Sequence, residues 1–249
     1  MPAPRPSTGS PATRALGLLS LAGLALLLGW ALVWSPADVV QKDSVRIMYV
    51  HVPTAILAFA ACGITTLASA MWLRRRTEGW WVVGAASAEV GAVFTAACLV
   101  TGAIWGRPTW GTYWDWDPRI TSTTLLFVLL IGYLALRRID NESGDASRRG
   151  VRAAIVGLLL FPNVMIVHYS VDWWRSLHQT ATITRLDPSI EGTMLFTLML
   201  GIGVFSLVFA WLLVHRFRVG WLEERAGASG LDAALVERRA EAELAGGQA

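Results

Sequence analysis

Six segments of roughly 20 apolar residues make up most of the sequence, and their length constrains the fold more than any other feature. They cover residues 15–34, 48–73, 80–104, 120–136, 151–169 and 193–214. A helix of about 20 residues crosses a hydrocarbon core of roughly 30 Å, whereas a soluble chain would distribute its apolar residues at amphipathic spacing. The sequence therefore predicts an all-α polytopic membrane protein with six transmembrane helices.

Composition agrees with membrane embedding. Hydrophobic residues make up 54% of the chain and charged residues only 16%, against about 25% in an ordinary soluble domain. A signal peptide is the competing interpretation of the first segment, with Ser35-Pro36-Ala37 as a weak cleavage site. Because its apolar run is longer than a usual signal-peptide core, we expect a retained span.

The Lys and Arg residues predict the orientation, because cytoplasmic loops carry the excess of positive charge. One side, which includes both termini, carries 15 of the 21 Lys and Arg residues. The six on the other side are Lys42, Arg46, Arg107, Arg119, Arg175 and Arg185. We therefore expect both termini to be cytoplasmic and the loops at 35–47, 105–119 and 170–192 to be external.

This topology predicts a simple domain organisation. Residues 1–14 form a cytoplasmic N-tail, 15–214 the six-helix transmembrane domain, and 215–249 a cytoplasmic C-tail. The C-tail mixes Ala, Glu and Arg without a long apolar face, so we expect a short surface helix followed by disorder.

The external loop 105–119 is unusually rich in aromatic residues, with four tryptophans and one tyrosine. An aromatic belt is the ordinary explanation, but a belt distributes its aromatics over several helix ends. If this stretch is helical, Trp110, Tyr113, Trp114 and Asp117 share one face and form a platform for a planar ligand. The indole N–H only donates hydrogen bonds, so other residues must hold any metal of that ligand.

Histidines are the candidate metal ligands, and the chain has only four, His51, His168, His178 and His215. The predicted topology puts His51 and His178 on the external side at similar depth, where two neutral imidazoles could bind the two faces of a porphyrin iron. His168 is an alternative external ligand, and His215 is interpreted as an interface residue. The external arginines that could pair with ligand carboxylates are Arg46, Arg107, Arg119 and Arg175.

Three other polar or reactive features have simpler explanations. Asp117 followed by Pro118 is a helix N-cap pattern, and capping of the fourth span is its expected main role. Glu89 lies within the third span, where an ionisable group is a functional candidate; an interhelical hydrogen bond is the alternative. Cys62 and Cys98 lie within apolar segments and are expected to be buried small hydrophobes rather than a disulfide.

The stretch Trp110-Gly-Thr-Tyr-Trp-Asp-Trp-Asp117 resembles the WGxxWxWD signature of haem-handling proteins in cytochrome c assembly. Three further stretches are similar to the haem exporter protein C family (CcmC). They are Tyr49-Val-His-Val-Pro53, Trp105-Gly-Arg-Pro108 and Ser170-Val-Asp-Trp-Trp-Arg-Ser-Leu-His-Gln179.

The resemblance implies a non-catalytic carrier in the bacterial inner membrane that holds haem b non-covalently at the external face. His51 and His178 would be the axial iron ligands. The other cofactor-binding residues would be Trp105, Trp110, Trp114, Trp116, Asp117 and Arg119. The implied partners are the haem chaperone CcmE, the single-span subunit CcmD and the ABC-type complex CcmA/CcmB.

Two residues depart from the pattern expected of that family. Pro118 stands where the family often has Ala and is more familiar from cytochrome c synthetase relatives, which attach haem and are much larger. Glu89 stands where a neutral residue is expected. The alternatives to a carrier are such a synthetase relative, a cytochrome b-type electron-transfer protein with histidines inside the bilayer, and a secondary transporter.

Overall fold

The computed structural model contains six helices that are long and apolar enough to cross a membrane, as predicted. It describes residues 9–142, 150–180 and 190–246, and it assigns no strand within those ranges. The helices are α1 (Pro11–Val33), α2 (Met48–Arg75), α3 (Glu78–Trp110), α4 (Pro118–Glu142), α5 (Val151–Trp173) and α6 (Gly192–Gly246). A short 3₁₀-helix, Asp43–Ile47, leads into α2.

Local signals explain where the helices start and stop. A capping box between Ser10 and Thr13 begins α1 four residues before the predicted segment, because each side chain satisfies a backbone N–H of the other residue. Gly111 ends α3 with φ of 80°, a conformation that glycine adopts without steric cost. The helix α3 therefore includes residues 105–110, which were predicted to belong to the external loop.

The helices pack as a bundle centred on α2. This helix contacts α3, α5 and α6, whereas α4 packs on α3 and α5, and α1 packs on α6. A buried cluster that includes Leu126, Leu130 and Leu160 holds α4 and α5 together. A Cβ on Gly91 of α3 would lie 2.9 Å from the Cβ of Ala61 on α2, so α2 and α3 depend on small residues for their close approach.

The end of the bundle that carries the start of α1 and the part of α6 from Arg216 to Glu224 is called the tail end. Here Arg218 donates hydrogen bonds to Ser10 Oγ and Thr13 Oγ1, and Trp81 donates one to Glu224 Oε1 at 2.9 Å. The prediction of a short helix followed by disorder is wrong for the described part of the C-tail. Residues 215–246 continue α6 without a break, and the polar contacts near its membrane exit help to hold the extension.

The interhelical interpretation of Glu89 is confirmed. Glu89 on α3 accepts a hydrogen bond of 2.7 Å from Arg216 Nη2 on α6, and its second carboxylate oxygen pairs with Arg216 Nε. Cys62 and Cys98 are buried free thiols, also as predicted. Four residues that contribute to the charge asymmetry, Arg5, Arg148, Arg149 and Arg185, lie outside the described residues.

Candidate functional site

The candidate site lies at the other end of the bundle, called the site end. The start of α2, the end of α3, the start of α4 and the segment after α5 meet there. Hydrogen bonds join α2 to α3, and they join the start of α4 to α5 and the segment after it. The ring contact between Trp110 and His178 connects these two pairs. Both predicted metal ligands, His51 and His178, belong to this group of segments.

His51 is held by the neighbouring helix α3. Its Nδ1 lies 3.1 Å from the backbone oxygen of Cys98 and 3.2 Å from Thr101 Oγ1. A carbonyl oxygen can only accept, so this contact requires the proton to be on Nδ1 and leaves the Nε2 lone pair available. Gly102 provides the space for the ring, since a Cβ there would lie 2.9 Å from His51 Cε1.

His178 is held by Asp117. Its Nδ1 lies 3.2 Å from Asp117 Oδ1, and its backbone N–H donates to Ser176 Oγ at 3.1 Å. The imidazole is 18% exposed and the Asp117 side chain 2% exposed. The Nδ1–H of His178 donates a hydrogen bond to the carboxylate, so Nε2 of His178 is also available as a ligand.

Asp117 connects three segments. Its Oδ1 accepts from the backbone N–H groups of Arg119 and Ile120, so the predicted N-cap of α4 is confirmed. Its Oδ2 accepts from Ser176 Oγ at 2.5 Å and Leu177 N at 2.8 Å. The same carboxylate that begins α4 therefore fixes the His178 segment.

Electrostatics at the site favour a charged carboxylate beside a neutral imidazole. Burial opposes ionisation of Asp117, but the hydrogen bonds from Ser176 and Leu177 outweigh it and hold the pKa of this carboxyl below its usual range. Burial lowers the pKa of His178, with a further contribution from Arg119, and this exceeds the opposite effect of Asp117. Neutral imidazole is the form that binds metals.

Arg119 lies within electrostatic range of both His51 and His178. Its Nη2 donates to the backbone oxygen of His168 at 3.0 Å. Its Nε is buried, and no hydrogen-bond partner for it is found among the described residues. Arg119 is therefore a fixed cation near both imidazoles with one donor still available.

The tryptophans divide into two groups. Trp105 packs edgewise on His51 with ring centres 5.7 Å apart and donates to Gln41 Oε1, and Trp110 packs edgewise on His178 at 4.6 Å. Trp114 and Trp116 instead pack on each other and are 38% and 71% exposed. The first pair surrounds the histidines, whereas the second presents aromatic surface outward.

The predicted helical platform is wrong. Helix α3 ends at Trp110 and α4 begins at Pro118, so residues 111–117 are not helical. Trp110, Tyr113, Trp114 and Asp117 consequently do not share a helical face. The left-handed Gly111 redirects the chain, and this turn was the signal in the sequence that could have predicted the break.

The other predicted candidates lie away from the two imidazoles or have other contacts. The His168 ring is exposed and packs on Tyr169, while its backbone oxygen contacts Arg119. His215 packs on Trp211, far along α6. Arg46 pairs with Asp43, and Arg107 lies over the Tyr113 ring.

Sequence reasoning missed the residues that support the histidines, namely Thr101, Gly102, Ser176 and the backbone oxygen of Cys98. The antiparallel neighbours α2 and α3 place the start of one beside the end of the other, which was predictable. The register that brings His51 to Thr101 and Gly102 was not, because it depends on side-chain packing.

Comparison with known proteins shows the family of the chain. Residues 7–231 match the family model described as "Heme exporter protein C". The chain belongs to the haem exporter protein C family. Proteins of that name share 41% identity over 212 residues in Haemophilus influenzae, covering 84% of each chain, and 38% over 192 residues in Escherichia coli K12, covering 76% of this chain and 75% of the relative.

A relative of the same name in Bradyrhizobium diazoefficiens is 38% identical over 192 residues, which cover 77% of this chain and 72% of the relative. The predicted resemblance is therefore confirmed at the level of the family. It covers the six-helix domain and the residues of the site end.

Proposed function

We propose that this protein binds haem b non-covalently at the external face of the inner membrane and delivers it to a haem chaperone of cytochrome c maturation. The observation that carries the proposal is the pair of histidines at the site end. Each has its Nδ1 engaged by a fixed acceptor and its Nε2 available as a ligand. Bis-imidazole ligation of haem iron needs two such nitrogens.

The surroundings of the histidines suit a porphyrin. Trp105 and Trp110 supply aromatic surface beside the two imidazoles, and the available Nε of Arg119 suits a propionate carboxylate. Exposed Trp114 and Trp116 then lie where one haem edge would be accessible to an acceptor protein. Asp117 holds the His178 side of this arrangement in place.

The family names of the relatives support haem as the cargo. The protein then acts as a carrier and not as an enzyme, with the chaperone CcmE as acceptor. The single-span subunit CcmD and the ABC-type complex CcmA/CcmB are the proposed membrane partners. Both termini are proposed to be cytoplasmic, which puts the site end on the external side.

The proposal is tested by the visible spectrum of the detergent-purified protein from a host that matures cytochromes c. We expect six-coordinate low-spin haem in the wild type and its loss in His51→Ala and in His178→Ala. Added imidazole restores the spectrum in both variants, because it occupies the vacated coordination position.

His168→Ala and His215→Ala are the matched controls, and both retain the wild-type spectrum. A low-spin spectrum that persists in both His51→Ala and His178→Ala would contradict the ligand assignment. Loss of the spectrum in His168→Ala would make that residue the ligand instead.

A further inference from the structure

The two imidazoles at the site end are held by acceptors of different kinds. His51 Nδ1 contacts a backbone carbonyl and a hydroxyl, those of Cys98 and Thr101. His178 Nδ1 contacts the carboxylate of Asp117. A carboxylate partner makes an imidazole a stronger electron donor to a metal than a neutral partner does.

The acceptors of His51 belong to a local chain of hydrogen bonds within α3. Thr101 Oγ1 donates to the backbone oxygens of Ala97 and Cys98 at 2.7 and 3.2 Å. The Cys98 oxygen therefore accepts from a hydroxyl as well as from His51. Both acceptors of His51 are neutral oxygens, so they polarise its ring less than a carboxylate does.

Asp117, in contrast, is immobilised at His178. Four other groups bond its two oxygens, the backbone N–H groups of Arg119, Ile120 and Leu177 and the hydroxyl of Ser176. These bonds fix the carboxylate, and its contact with Nδ1 fixes the imidazole in turn. His178 also has its backbone bonded to Ser176 Oγ.

We propose that the two ligands are unequal and that His51 is the one that dissociates when haem is transferred, while His178 stays bound until the end. This inference rests on the proposed bis-histidine site and adds the order of ligand release. In the exchange, the His51 Nε2–iron bond breaks and its electron pair stays on the imidazole. A lone pair from the incoming ligand forms the new bond, so the iron oxidation state and all protons are unchanged.

The proposal also gives the transfer a direction. The acceptor must approach the haem face that His51 covers, with Trp105 beside that ligand. His178, Asp117 and Trp110 hold the opposite face during the exchange.

The test uses carbon monoxide as a probe of the reduced, haem-loaded protein, because CO replaces the ligand that dissociates more readily. Resonance Raman spectra of the photolysed CO adduct then report the iron–histidine stretching band of the ligand that remains. Asp117→Asn removes the charge from the His178 partner while keeping a capping side chain for α4. Thr101→Val removes the hydroxyl from the His51 side.

We expect Asp117→Asn to shift the iron–histidine band to lower wavenumber and to weaken haem binding about tenfold, the lower end of the effect of such outer-shell partners. Thr101→Val leaves the band unchanged. Gly63→Ala is the control on α2, twelve residues after His51, where a Cβ meets nothing within 4 Å, and it also leaves the band in place.

A band that moves in Thr101→Val and stays in Asp117→Asn would make His51 the retained ligand and overturn the proposal. Two bands in the wild type, or one band insensitive to both substitutions, would overturn it as well. These outcomes leave the proposed function intact, since they presuppose a six-coordinate spectrum before CO is added. The lack of that spectrum would remove the proposed function and this inference together.

Discussion

The tail end and the site end of the bundle use similar residues in different ways. At the tail end, the guanidinium carbon of Arg137 lies 3.3 Å from the centre of the Trp81 ring, and Trp81 donates to Glu224. At the site end, Trp105 and Trp110 lie edgewise on histidines whose Nε2 atoms remain available. Arginine, tryptophan and acidic residues are present at both ends.

The difference teaches that composition does not distinguish a structural cluster from a binding site. At the tail end, charged groups pair with one another or lie over aromatic rings, as in the Glu89–Arg216 pair and in Arg137 over Trp81. At the site end, hydrogen bonds orient two imidazoles and Arg119, while the Nε2 atoms of the histidines and Nε of Arg119 stay available. Substitutions at the tail end should therefore change stability, and those at the site end should change haem binding.

The largest expected effect is at the tail end, for Gly150→Ala. Gly150 has φ of 73°, and a Cβ there would collide with the Trp81 ring and approach Trp72 Nε1 to 2.7 Å. We expect a loss of about 1–3 kcal/mol in stability from overpacking, measured by thermal unfolding in detergent. The low-spin haem spectrum of the remaining folded protein should be unchanged.

Gly111→Ala is the matched control for this substitution. Gly111 also has a left-handed φ, of 80°, but a Cβ there meets nothing within 4 Å. The Gly111→Ala variant therefore has the backbone strain without the collision. It should destabilise the protein less than Gly150→Ala does. Equal losses in the two variants would contradict the collision with Trp81 and Trp72.

The second-largest expected effect is a loss of haem affinity at the site end, in the Gly102→Ala variant. The new methyl group would displace the His51 ring, whose Nδ1 is held by Cys98 and Thr101. We expect haem affinity to fall about tenfold, as for a lost outer-shell contact, with little change in the unfolding temperature. Haem titration of the purified apoprotein measures the affinity.

Gly63→Ala is the control on the helix of His51, since a Cβ at Gly63 meets nothing within 4 Å. It should leave both haem affinity and unfolding temperature near the wild-type values. A Gly102→Ala variant that binds haem as tightly as Gly63→Ala would show that the position of His51 does not limit binding.

The fold was predictable from sequence because each span is a separate signal of length and apolarity. All six helices are present. The observed first and last residues lie within six residues of the predicted ones, except at the end of α6, which extends to Gly246. The extension of α3 to Trp110 was missed because Trp105-Gly-Arg-Pro108 looks like a loop. A proline near a helix end removes only one hydrogen bond, and the preceding residues remain helical.

The candidate site was predictable in its residue types but not in its geometry. His51, His178 and the cap at Asp117 followed from their motifs and positions. The bond between Asp117 and His178 did not, because it joins residues 61 positions apart through the path of the segment after α5. The roles of Gly102 and Thr101 likewise depend on the register of α3 against α2.

A smaller effect is expected for Glu89→Gln at the tail end. Gln at position 89 keeps an oxygen that can accept from Arg216, so the loss of stability should be smaller than that of Gly150→Ala. Thermal unfolding measures the loss, and Arg216→Gln in the Glu89→Gln background should add little, since the charge pair is already removed. An altered haem spectrum in Glu89→Gln would contradict the separation of the two ends.

The smallest expected effect comes from the lowered pKa of His178, which makes the stability of the protein depend on pH. Because burial lowers its pKa, the folded protein binds fewer protons here than the unfolded chain once the pH falls below about 6.5. The lowered pKa of His178 therefore contributes to the free energy of unfolding above about pH 6.5. This contribution is lost as the pH falls toward the lowered pKa.

Asp117 opposes the shift of His178, since its carboxylate raises the pKa of the neighbouring imidazole. Asp117→Asn should therefore move the His178 midpoint to still lower pH, provided that the imidazole stays buried. NMR titration of ring-labelled apoprotein measures it, with the His178 signal assigned by its absence from His178→Ala. A midpoint that rises in Asp117→Asn would mean that the imidazole has left its buried position, so that Asp117 holds His178 in place more than it tunes its charge.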